Sequence, residues 1–111
     1  ARHMKLAVKF APDYPAAFIN YARVLNYLNR QHELLELISE GLLVEGINKC
    51  VLLVEKGKSF ELNGNFKEAL RCYYEAERFA VHYQETEMVS FAISRLRKKK
   101  LRPLKSLFML P

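Results

Sequence analysis

Three histidines, two cysteines and scattered carboxylates are the groups through which this chain could do covalent or acid–base chemistry, and their spacing assembles none of it. His3, His32 and His82 lie far apart, and none is paired with a nucleophile in a recognisable motif. The sequence contains no Gly-rich phosphate loop, H-E-x-x-H helix or G-x-S-x-G turn. Glu33 with Glu36, and Glu75 with Glu77, are close enough for general acid/base work, but lysines and arginines share their segments, as on a solvated helix face. Cys50 and Cys72 have neither Cys-x-x-Cys nor Cys/His metal spacing, and so sparse a pair makes no disulfide framework. Both read as reduced core residues. The expectation is a chain without catalytic residues, metal or cofactor, enzymatic only if a larger parent protein carries a catalytic domain elsewhere.

Binding chemistry is better represented. The net charge of +6 is unevenly placed: residues 1–94 hold eleven basic and all twelve acidic side chains, whereas residues 95–111 hold seven basic and no acidic ones. The basicity therefore belongs to Arg95, Arg97, Lys98, Lys99, Lys100, Arg102 and Lys105. Leu101, Leu104, Leu107, Phe108 and Met109 follow among them, and Pro103 is expected to prevent one continuous helix there. Such a tail could neutralise nucleic-acid phosphates, lie on an anionic membrane, serve as a nuclear-import signal, or pack as the start of a next structural unit. Its leucines favour packing, against further chain or a second copy of this one. The aromatics Tyr73, Tyr74, Phe79 and Tyr83, interleaved with Arg71 and Arg78, have the composition of a base-stacking surface, but helical aromatics more often serve the core.

The elements that must position these residues are helices. Apolar residues recur at helical spacing, as in Phe18, Tyr21, Ala22, Leu25 and Leu28, then Leu34, Leu35, Leu37, Ile38 and Leu42. Breakers fall between such segments at Pro12–Pro15, Asn29–Gln31, Gly46 and Asn63–Asn65. Five helices follow: about 15–28, opened by Pro15 behind Asp13; 31–45; 47–63, ended by Gly64; 66–82; and 84–100, whose basic end suits a helix C-terminus. No window approaches the roughly 18 apolar residues of a spanning helix, and no signal peptide is evident. A soluble, cytoplasmic chain is expected, or a nuclear one if the basic run acts as an import signal. Residues 1–4 have the look of a cloning junction.

The chain also repeats itself. Ala22, Gly57 and Ala92 stand 35 residues apart, and in the same register Leu34 falls on Ala69, Ile38 on Tyr73, Gly41 on Ala76 and the Asn29 turn on Gly64. The unit is a helix hairpin with small residues where helices approach. In Leu53, Gly57, Phe60, Ala69, Tyr73 and Ala76, and more weakly in Phe18, Tyr21, Ala22, Leu25, Leu34, Ile38 and Gly41, the sequence resembles the tetratricopeptide family. Val81 stands where that family has proline, and Ala7 and Pro12 match the last positions of a preceding repeat. The resemblance covers roughly residues 5–96. It implies an all-α fold of antiparallel hairpins in a right-handed superhelix of five to six helices. Residues 5–13 would end one repeat, 14–48 and 49–83 form two more, 84–100 a capping helix and 101–111 a basic, apolar tail. The chain would be a fragment of a longer array. An ordinary helical bundle is the competing reading.

The resemblance further implies that the first helix of each hairpin lines a concave groove. Ile19, Arg23 and Asn26 would lie beside Val54, Lys58 and Glu61, with Ile19 and Val54 excluding water and Arg23 and Lys58 anchoring an acidic group of a protein or peptide partner. Co-chaperone members clamp a terminal carboxylate with lysine and asparagine at the positions held here by Ile19, Arg23, Val54 and Lys58, so that clamp is not expected. The rival is an RNA-binding array, because pentatricopeptide repeats have a similar length. Its weakness is that the body of this chain carries no excess of positive charge.

Overall fold

The computed structural model describes the backbone of residues 14–109 and the side chains of residues 15–99; the expected junction at 1–4, the repeat end at 5–13 and the cap at Asp13 lie outside the described residues. Among the described residues the fold is all-α, with five helices: α1 Tyr14–Tyr27, α2 Gln31–Gly41, α3 Lys49–Leu62, α4 Phe66–Arg78 and α5 Tyr83–Met109.

Each helix starts and stops for a local reason. Pro15 sits in the first turn of α1, where its missing amide hydrogen has no partner to lose. Asn29 (φ 52°) and Gly64 (φ 78°) adopt the left-handed conformation that turns the chain back after α1 and α3, so two turns 35 residues apart share one backbone solution. α3 begins at Lys49, not at Ile47. The Asn48 side chain caps it, its Oδ1 accepting from the Val51 amide at 3.1 Å, while Ile47 is buried in the same core as Leu52 and staples the helix start. α2 and α4 each stop four residues earlier than periodicity alone predicts, at Gly41 and Arg78, because tighter turns take over the hydrogen bonding at both ends.

α5 is the largest departure. It continues through Pro103 to Met109, so the expected cap and much of the expected tail form one helix, and the basic residues lie along it instead of at its C-terminus. One proline removes a single backbone hydrogen bond, and the Lys, Leu and Arg residues around it are strong helix formers.

Two hydrophobic cores share α3. Phe18, Tyr21, Ala22 and Leu25 of α1 meet Leu34, Leu37 and Ile38 of α2 and Leu52 of α3. Leu53 and Val54 meet Ala69, Tyr73 and Ala76 of α4 and Val89, Ala92, Ile93 and Leu96 of α5. α3 is therefore buried on most sides, which explains its run of Leu52, Leu53 and Val54. Among the described residues α1 packs on α2 and α3, and α3 packs on α4 and α5. Ala22, Gly57 and Ala92 are all buried, and a Cβ at Gly57 would overlap the Tyr73 ring. The repeated small residues are sites of close helix approach.

Candidate functional site

The expected groove separates into a core and a polar seam. Ile19 and Val54 are buried, Ile19 in the first core and Val54 in the second. Packing takes most of the surface of both, and Val54 still reaches the wall of a cleft toward α5. Asn26 is buried as well. Its Nδ2 donates to the Glu55 carbonyl oxygen at 2.7 Å and to Glu55 Oε1 at 3.0 Å.

Glu55 is a residue that sequence reasoning missed. Its side chain is 4% exposed, and Lys58 Nζ at 3.3 Å and Arg23 Nε at 3.8 Å both face Oε2. Arg23 and Lys58, the expected anchors for a partner's acid, are thus brought together around an internal acid. Their side chains remain 57% and 49% exposed, so each still presents charge outward. The available signal was an acidic residue at the end of an otherwise apolar run, Leu52-Leu53-Val54, where solvation of the carboxylate had to come from neighbours.

Glu61 forms a second polar centre toward α5. Oε1 accepts from the Tyr73 hydroxyl at 2.8 Å and from Arg95 Nη2 at 2.6 Å, and Oε2 accepts from Lys99 Nζ at 3.2 Å. Burial pushes this carboxyl up, but the hydrogen bonds from Arg95, Tyr73 and Lys99 outweigh it and hold the group below the ordinary carboxylate range. The Tyr73 hydroxyl is raised, by burial first and by its bond to the Glu61 carboxylate second.

Helical periodicity divides the basic run. Arg95 and Lys99, one turn apart, meet Glu61, whereas Arg97 points to α4, bonding the Tyr74 hydroxyl and lying 5.4 Å from the Tyr74 ring centroid. Lys98 is exposed, and the side chains of Lys100, Arg102 and Lys105 lie outside the described residues. The aromatic cluster is divided in the same way. Tyr73 alone is buried; Tyr74, Phe79 and Tyr83 are exposed, with Lys49 Nζ 5.4 Å from the Phe79 ring centroid and the Tyr83 hydroxyl donating to Glu87 at 3.0 Å. The expectation of core packing is met by Tyr73 and corrected for the other three.

A cleft of about 770 Å³ lies between α3 and α5, lined in part by Val54, Lys58, Met88, Phe91, Ala92 and Arg95. A second, of about 400 Å³, is lined by Lys58, Glu61, Leu62, Arg95 and Lys99. Lys58 and Arg95 belong to both, so the two form one trough. On its wall Phe91 is 69% exposed, with the Arg95 guanidinium 6.0 Å from its ring centroid.

The groups read as chemically inert are placed apart from this trough. Glu33 pairs with Arg30 at 2.6 Å and His32 with Glu36 at 3.1 Å on the surface of α2. Cys50 and Cys72 are free and buried, and burial pushes Cys72 to about 11, far from a reactive thiolate. Among the described residues no cluster of His, Cys, Asp or Glu has the arrangement of a metal site, and no helix is long and apolar enough to cross a membrane.

Fold and site together define an all-α chain of packed helix hairpins with a polar and apolar trough along one seam. The chain matches no family model, no curated protein and no solved structure.

Proposed function

We propose that the chain is a non-catalytic binding module of the tetratricopeptide kind, a right-handed stack of helix hairpins that holds a protein partner along the face made by α1, α3 and α5. The observation that carries this reading is Phe91, a large apolar side chain left exposed on the wall of an open cleft beside Val54 and Met88. An aromatic group so placed gains by being covered. The 35-residue equivalence of Ala22, Gly57 and Ala92, and of the left-handed turns at Asn29 and Gly64, supports the repeat. A reducing, cytoplasmic setting suits the two unpaired buried thiols. RNA binding is less well supported, because Arg23, Lys58, Arg95 and Lys99 on this face already have Glu55 or Glu61 as partners.

Affinity capture from cell extract, with and without nuclease, tests the proposal when wild type is compared with Phe91→Glu. The exposed Phe91 can be changed without opening the core, which far-ultraviolet circular dichroism verifies. Reversing Arg23 and Lys58 would be a poorer test, because it would surround the buried Glu55 with further carboxylates. A protein retained after nuclease and lost with Phe91→Glu is the expected result. Capture abolished by nuclease favours RNA, and capture indifferent to Phe91→Glu places the partner elsewhere.

A further inference from the structure

α1, α3 and α5 run in one direction and end at one edge. Asn26 meets Glu55 and the Asn63 side chain donates to Asn29 Oδ1 at 3.1 Å, so α1 and α3 finish together. Asn48 meets Glu85 near the starts of α3 and α5, and Glu61, the residue before the last of α3, bonds Lys99. α5 therefore passes the end of α3 at Lys99 and continues to Met109, about 15 Å of further helix. At this edge Tyr27, Leu28 and Leu62 are 90%, 53% and 61% exposed. Tyr27 and Leu62 stand 35 residues apart, at the same place in successive hairpins.

The carboxylates in the turns nearest this edge are matched: Glu33 pairs with Arg30, Glu68 with Arg71, and Glu61 with both Arg95 and Lys99. Lys67 and Lys98 are exposed and have no carboxylate partner among the described residues. Residues 98–111 add Lys100, Arg102 and Lys105 and contain no acid. With about 3.6 residues per turn, positions 101, 104, 107 and 108, which are leucines and a phenylalanine, share one side of α5, interrupted once by position 100. The basic positions 98, 102 and 105 share the other side.

We infer that this edge docks on an anionic lipid bilayer, with Tyr27, Leu28 and Leu62 entering the interfacial region and the basic end of α5 lying along the headgroups. A helix with cations on one side and leucine and phenylalanine on the other has the pattern that lies in a bilayer interface, and each lysine or arginine near an anionic surface adds to the attraction. A second copy would set the seven cations of residues 95–111 against seven more, and residues 1–94, with eleven basic and twelve acidic side chains, offer little charge to offset them. Nucleic acid would use the cations and leave Tyr27, Leu28 and Leu62 in water. Docking by this edge is independent of a protein partner at Phe91, which stands about two turns back along α5 from Lys99.

The chain contains no tryptophan, so Tyr27→Trp places a single fluorescent reporter at the edge. Its emission is read, beside cosedimentation of the wild-type chain, with vesicles of phosphatidylcholine alone and of phosphatidylcholine with about one-third phosphatidylserine. The expected result is a blue shift and cosedimentation with the anionic vesicles only, both weakened by salt. Lys98→Gln with Arg102→Gln should weaken cosedimentation about thirtyfold, and Leu28→Ser with Leu62→Ser about tenfold. Far-ultraviolet circular dichroism verifies that both double variants remain helical. Equal binding to the two vesicles, binding to neither, an unshifted Tyr27→Trp emission, or indifference to either double variant overturns the inference. A labelled oligouridylate bound by a chain that ignores the anionic vesicles overturns it in favour of RNA, and a dimer in sedimentation equilibrium that likewise ignores them overturns it in favour of a second copy.

Discussion

Asn26 on α1 holds Glu55 on α3 at two points, its amide nitrogen donating to the glutamate's backbone carbonyl at 2.7 Å and to its carboxylate at 3.0 Å. One side chain thereby gives a second donor to a helical carbonyl and satisfies half of a buried carboxylate, across the boundary between successive hairpins. Removing it leaves the carboxylate oxygen short of a donor, while the carbonyl keeps its bond within α3. Asn26→Ala should lower stability by about 1–3 kcal/mol, read from urea denaturation. Asn26→Leu combined with Glu55→Met should cost less than the sum of the two single changes, because an apolar pair leaves no stranded charge. Additive losses would mean that the two residues are not coupled.

Gly57 and Tyr73 define the closest approach of α3 and α4. In an exposed helix Gly→Ala is stabilising by about 1 kcal/mol. Here the added Cβ would overlap the Tyr73 ring, which is buried and held in place by Glu61. Gly57→Ala should therefore destabilise by about 1–3 kcal/mol. Tyr73→Leu, which removes the obstructing ring, should make the same glycine substitution less costly. The midpoints of chemical denaturation for the four proteins of this cycle give the answer, and a stabilised Gly57→Ala variant would contradict the packing described.

Asn48 and Glu85 tie the start of α3 to the start of α5. Asn48 caps α3 through Oδ1 and donates from Nδ2 to Glu85 at 2.5 Å, while Glu85 also accepts from the Val81 and His82 amides at 3.0 and 3.2 Å. The Val81 amide, then the Asn48 side chain and the His82 amide, lower this carboxyl from 4.5 to about 2. A group whose folded value is depressed stabilises the fold above its unfolded value and loses that contribution as pH falls through the folded one. Stability should thus decline between pH about 4.5 and about 2, with Glu61, also lowered, acting in the same sense. Glu85→Gln should melt earlier than wild type at neutral pH and show a flatter acid limb. Parallel acid limbs for the two proteins, in thermal melts across that window, would refute the assignment.

Much of the fold was legible in the sequence because helix formation is local. Apolar spacing identified five helices, Pro15 and Gly64 marked a start and a stop, and the 35-residue recurrence of Ala22, Gly57 and Ala92 located the positions where helices come closest. Ends set by competing turns were less legible, as at Gly41 and Arg78, and so was α5, where one proline was outweighed by its helix-forming neighbours.

The candidate site was legible only in part. Arg23, Lys58 and Glu61 were singled out by the groove positions that the resemblance implies, but the exposed Phe91 and the buried Glu55 were not. A residue's helical face follows from its own neighbours in the chain, whereas its exposure depends on which other helix covers that face. Ile19 and Val54 were expected to line a groove; packing buries both, and Val54 still reaches the wall of the α3–α5 cleft. Arg95 and Arg97, two residues apart, were separated by the helical turn and delivered to Glu61 and Tyr74 on different helices. Sequence determined which residues share a helical stripe; only the tertiary structure decided which stripes are covered and which charges meet, because burial and ion pairing join residues distant along the chain.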